Sequence, residues 1–129
     1  MKKITDPRHK NRAKILRELF AIQFSDLNII ENETTNQVIS HLSEIDKTIE
    51  KIAPDWPISQ INKIDLSILR LAVFELIIDR SVPYKVILDE AVELAKEYGS
   101  ESSPGFVNGA LGNLVDLEKI DKEDIKNDD

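Results

Sequence analysis

Apolar residues recur at helical intervals along nearly the whole chain, and no alternating run of useful length points to a strand. Asp6 followed by Pro7 reads as an N-cap and first-turn pair, because Asp accepts an orphan backbone N–H and Pro lacks one. From there Ala13, Leu16, Phe20 and Phe24 recur at three- and four-residue steps, and Ile15, Leu19 and Ile22 widen the stripe into a first helix. Residues 25–35 (SDLNIIENETT) are polar and read as a loop. Val38, Leu42, Ile45, Ile49 and Ile52 then step by fours and threes, which predicts one amphipathic helix ended by Pro54. Pro54-Asp55-Trp56-Pro57 reads as a turn, and ISQIN as one short helical turn.

Asp65 stands where it can cap LSILRLAVFELII, a segment apolar on almost every side and therefore a central core helix. Its length exceeds a usual strand, and Leu, Ala and Glu favour helix. Arg70 inside it needs a carboxylate or a path to the surface. Val82-Pro83 restarts the chain, and Val86, Ala91, Val92, Leu94, Ala95 and Tyr98 predict another helix, with Gly99 as a left-handed C-terminal cap. Ser103-Pro104 opens the last one, whose inner face is Val107, Ala110, Leu111, Leu114 and Val115. The expectation is an all-α domain of five to seven helices over residues 1–129. Its end, DLEKIDKEDIKNDD (116–129), has the composition of a frayed or solvated acidic tail.

At 129 residues and 41% hydrophobic, the chain suits one core that buries roughly 65–70% of the unfolded surface. The absence of cysteine excludes a disulfide scaffold, a Cys-ligated metal and a thiol nucleophile. No apolar run approaches the ~18–20 residues of a membrane span, and MKKITDPRHK lacks the apolar region of a signal peptide. A reducing cytoplasm and no membrane partner are expected. The formal net charge is −7, but it is unevenly spread. Lys2, Lys3, Arg8, Lys10, Arg12, Lys14 and Arg17 face only Asp6 in the first 17 residues, so that segment is +6 and the remainder −13. Arg8 and Arg12 are one turn apart, as are Lys10 and Lys14, a spacing that predicts pairs of cations on an exposed helix face. Such a face suits a phosphate backbone, and arginine also stacks on an unpaired base. From charge alone, a merely solvated surface is an equal reading.

Enzyme chemistry finds little support. His9 and His41 are the only histidines, and no HExxH, GxSxG, GxGxxG or Walker motif occurs. Asp89, Glu90, Glu93 and Glu97 form the densest acidic cluster. Without a second acidic helix at matching spacing they read as a solvated face rather than a metal site. Gly109 and Gly112 interrupt a helical pattern, which close helix packing would explain; Gly105, in the first turn, leaves the helix start open to a phosphate.

Three blocks in order, IDLSILRLAVFEL at 64–76, VPYKVILDEAVELAK at 82–96 and FVNGAL at 106–111, closely resemble the transcription antitermination factor NusB family. The resemblance covers roughly residues 8–24 and 38–115 and implies about seven helices, arranged as two small three-helix bundles packed across each other. It also implies a non-enzymatic protein without cofactor or metal. Members pair with the ribosomal protein NusE and bind boxA single-stranded RNA, and with other Nus factors they keep RNA polymerase elongating through ribosomal RNA operons. Homodimers are a further state of the family. Carried over by position, the RNA contacts fall on Arg8, His9, Lys10 and Arg12, with Lys2 and Lys3 as additions and Phe106 beside the RNA. Phe20, Asp65 and Arg70 match positions toward the NusE partner. Phe20 fits the core equally well, and Asp65 and Arg70 fit a cap and an intramolecular pair. Gly105 stands where the family usually carries a basic residue, and Gly112-Asn113 replaces a usual Asp-Lys pair. An adaptor on the same fold without RNA recognition is the alternative.

Overall fold

The computed structural model describes residues 6–25 and 29–119, so Lys2 and Lys3 lie outside the described residues. Six α-helices and no strand occur among those described. The first, α1, spans Pro7–Ala21, and the Asp6 carboxylate accepts from the Arg8 backbone N–H at 2.9 Å. That bond, with the Arg8 side chain, holds the Asp6 carboxyl below its ordinary value. Ala13, Ile15, Leu16 and Leu19 enter the core. Phe20 is half-buried, and Phe24 lies past the helix end and is 62% exposed, so the apolar stripe ends sooner than its spacing suggests.

The helix expected over 38–52 is two helices, α2 (Glu33–Ser40) and α3 (Leu42–Ile52), broken at His41 with φ −112° and ψ 15°. The cause is local competition for one carbonyl. The Ser40 hydroxyl and the His41 ring both bond to the Gln37 carbonyl, at 2.8 and 2.9 Å. The His41 N–H turns instead to Val38, one residue short of the α-helical partner. A 3₁₀ turn at Ile58–Gln60 follows.

The central helix, α4, spans Lys63–Val73. Its cap is Asn62, whose side chain accepts from the N–H groups of Ile64 and Asp65; Asp65 therefore sits inside the first turn and is buried. The helix continues as a π turn, Phe74–Asp79, closed by Arg80 in a left-handed conformation at φ 56°. Every residue from 65 to 76 is buried. Arg70 finds the carboxylate it needs in Asp46, through two bonds of 3.0 and 2.9 Å.

Two further helices complete the fold, α5 (Tyr84–Tyr98) and α6 (Ser103–Leu117). Gly99 between them is extended (φ −92°, ψ −169°), not left-handed. Glycine is required there for room, since a Cβ would run into the Ser103 side chain and lie 2.8 Å from the Ala95 carbonyl oxygen. Gly109 and Gly112 have no such reason: a Cβ on either meets nothing within 4 Å, which removes close packing as their explanation. The C-terminal helices α4, α5 and α6 pack on one another; α1 packs on α2 and α4, and α3 on α4 and α6. Both halves of the chain thus share α4 as their centre.

Candidate nucleic-acid interface

The cations of α1 separate into two classes by helical register. Lys10, Lys14 and Arg17 follow one another at i, i+4 and i+7, and all three are exposed. Arg8 shares the register of Arg12 instead, but at the helix start it is exposed, its side chain 85% accessible and 3.5 Å from Asp6. Among the described residues Lys10 and Lys14 have no ion-pair partner, while Arg17 donates to the Tyr98 hydroxyl at 3.2 Å. Lys14 and Arg17 border a shallow groove of about 480 Å³ with Asn11, Glu18, Glu31 and Asn32. Glu18, the acid in that groove nearest in sequence, is already occupied: its two oxygens accept from the Thr35 hydroxyl at 2.6 Å and the Glu31 N–H at 2.9 Å.

His9 and Arg12 belong to the other class, and here the structure corrects the expectation of freely presented cations. His9 precedes Ala13 by four residues and Leu16 by seven, so it lies on the buried face and is 4% exposed. Its Nδ1 is 2.9 Å from Glu90 and its Nε2 2.7 Å from Glu97, which makes both ring nitrogens donors and the ring an imidazolium. Burial pulls its pKa down, but the bonds to the two carboxylates and their charge outweigh this, and the net shift is upward. Arg12 forms a fork on Glu75 at 2.8 and 3.0 Å and lies 3.5 Å from Glu90. Burial works against its charge, and Glu75, Glu90 and Asp6 restore it, with a net upward shift. The acidic run of α5 is accordingly not a uniform solvated face: Glu90 is buried and Glu97 is tied to His9.

Phe106 is half-buried in the first turn of α6 and packs on the core. It lines a cleft of about 350 Å³ with Trp56, Asn62, Asp65 and Ser102, to which α1 contributes nothing. Phe20 meets Phe24 edge-on at 5.0 Å between centroids, and the Lys63 ammonium lies 5.6 Å from the Phe24 ring. Arg70 is sealed against Asp46 rather than presented outward. Sequence reasoning named Lys14 and Arg17 only within the basic segment, Lys14 as the pair of Lys10, and did not single out Trp56. The i, i+4, i+7 series beginning at Lys10 was the available signal for the first two; nothing local marks the third.

No helix of the described residues is long and apolar enough to cross a membrane. The NusB family model matches residues 9–116. The transcription antitermination protein NusB of Chloroflexus aggregans is 35% identical over 94% of this chain and 95% of its own length. That of Lysinibacillus sphaericus is 37% identical over 86% of this chain and 98% of its own. Two solved structures share the fold: T. maritima NusB, with a TM-score of 0.73 and 29% identity over 88% of this chain and 93% of that one, and a chain from a crystal structure of a plectonemic RNA supercoil, with a TM-score of 0.77 and 25% identity over 87% and 96%.

Proposed function

The chain belongs to the NusB family of transcription antitermination proteins, and from that premise we propose that it binds boxA single-stranded RNA together with the ribosomal protein NusE, keeping RNA polymerase elongating through ribosomal RNA operons. The observation that carries the RNA part is the exposed series Lys10, Lys14 and Arg17, with Arg8 exposed at the start of the same helix. Charges repeating one helical turn apart can follow successive phosphates of one strand, and the acidic body repels RNA elsewhere. His9 and Arg12 act at one remove: tied to Glu75, Glu90 and Glu97, they dock α1 and orient its outer face. Catalysis has no part in this reading.

The test is RNA binding by this chain, with and without NusE, against salt. Four phosphate contacts on a single strand give a slope of log K on log salt of about −2.8, and Lys10→Ala, Lys14→Ala and Arg17→Ala together should flatten it by about 2. Unchanged affinity and slope in that triple variant refute the assignment. NusE pairing with no RNA binding by either protein favours the adaptor reading.

A further inference from the structure

We infer that two acids, Glu90 and Glu97, are positioning residues for RNA binding: through a protonated His9 they latch the first turn of α1, and removal of that one proton frees the turn that carries Arg8 and Lys10. The inference deepens the RNA-binding reading above and rests on it.

The first turn is the part of α1 that needs holding. A helix start leaves its leading N–H groups without helical partners and frays first. The Asp6 carboxylate answers one of them, at Arg8. Of the buried residues of α1, His9 alone precedes Ala13, so the apolar core grips the helix only from its second turn onward. Arg8 and Lys10 flank His9 and are both exposed. Their placement therefore depends on the side chain between them. The far end of the basic series is held separately, by the bond from Arg17 to Tyr98.

The latch closes only when both ring nitrogens carry a proton. Glu90 lies 2.9 Å from Nδ1 and Glu97 2.7 Å from Nε2. A neutral imidazole donates from one nitrogen and presents a lone pair at the other, so one carboxylate would face that lone pair. The groups around the ring sharpen the effect. Glu90 and Glu97 face it from α5. Arg12, from α1, lies 3.5 Å from the Glu90 oxygen that His9 also meets, and forks on Glu75 of the π turn. With the proton in place, His9 and Arg12 answer three carboxylates; without it, Arg12 alone does, where burial makes an unanswered charge costly. Glu97 is the outermost of the three, its side chain 36% exposed, so its bond is the one that opens: that carboxylate can turn to water. The latch is thus fully in place below the unfolded histidine value near 6.5. It is lost as pH rises through the folded value, which the two carboxylates raise.

The test measures boxA RNA binding, with and without NusE, from about pH 6 to about pH 8.5, a range in which lysine and arginine stay charged. Release of Arg8 and Lys10 removes two phosphate contacts. The salt slope should then flatten by about 1.4 as pH rises, which at about 0.1 M salt is a loss of up to about 25-fold in affinity. His9→Arg, which keeps donors for both carboxylates and does not lose its charge, should hold the affinity flat on the same RNA. Glu97→Gln should weaken binding and move the fall to lower pH, although removing an acid near an RNA site strengthens binding by charge alone. Glu93→Gln, one turn back on α5 and paired with Lys96, is the control and should leave affinity unchanged or raised. A parent affinity that stays flat with pH overturns the latch, as does a Glu97→Gln protein that binds as tightly as the parent or more so. In either case, binding that keeps its salt slope leaves the phosphate reading standing. If the RNA binds at no pH, with NusE or without, both readings fail. Should His9→Arg not fold, the parent profile and Glu97→Gln decide the outcome, since that amide has the shape of the carboxylate it replaces.

Discussion

Replacing Arg12 with alanine tests whether half of the basic motif is internal architecture. The substitution removes a fork of 2.8 and 3.0 Å on Glu75 and a charge 3.5 Å from Glu90. The side chains of Arg12 and Glu75 are each 11% exposed and that of Glu90 5%. A unit-charge pair about 4 Å apart at an effective dielectric near 20 interacts by about 4 kcal/mol. Removing one partner of a buried pair typically costs about 3–5 kcal/mol, because the other is left charged and unpaired. A domain of this kind has roughly 5–15 kcal/mol in total, so Arg12→Ala should approach the limit of folding. Urea unfolding followed by Trp56 fluorescence and helical circular dichroism measures the loss. Lys14→Ala, two residues on and solvated, should stay within about 0.5 kcal/mol of the parent in the same assay. Arg12→Leu combined with Glu75→Leu should recover much of the loss, since an apolar pair of similar volume needs no countercharge. An Arg12→Ala protein within 1 kcal/mol of the parent, with an unchanged denaturant slope, would refute the reasoning and return Arg12 to the surface.

Other expectations follow from the same coordinates. The His9 pKa is raised in the folded protein, so its stabilisation is complete below the unfolded value near 6.5 and is lost as pH rises through the folded value. The difference in unfolding free energy between the parent and His9→Gln should therefore shrink with rising pH; a difference that stays flat or grows contradicts the clamp. Gly109→Ala, with open space at its Cβ, should stabilise α6 by about 0.5–1 kcal/mol, read as a rise in melting temperature. Gly99→Ala meets Ser103 and the Ala95 carbonyl and should cost about 1–3 kcal/mol, so a neutral result would show that the 99–103 turn can shift.

The helices were legible because apolar periodicity is a local property: the cap at Asp6, the start of α6 at Ser103-Pro104 and the largely apolar α4 fall where the pattern puts them. Their interruptions were less so. The break at His41 depends on two side chains competing for the Gln37 carbonyl, and Asn62 takes the cap that Asp65 also suited. The site divides along the same line. His9 shares a register with Ala13 and Leu16, so its burial was readable from spacing. The partners of His9 and Arg12, however, stand 63 to 88 residues away, a separation that no window along the chain spans. Trp56, Asp65 and Phe106 converge only through the packing of the 56–65 segment beside the start of α6.

The clamp joining α1 to Glu75, Glu90 and Glu97 makes the first helix and α5 answerable to one another. If α1 grips RNA as proposed, natural variants altered at position 90 or 97 should lose that grip with Lys10, Lys14 and Arg17 all intact.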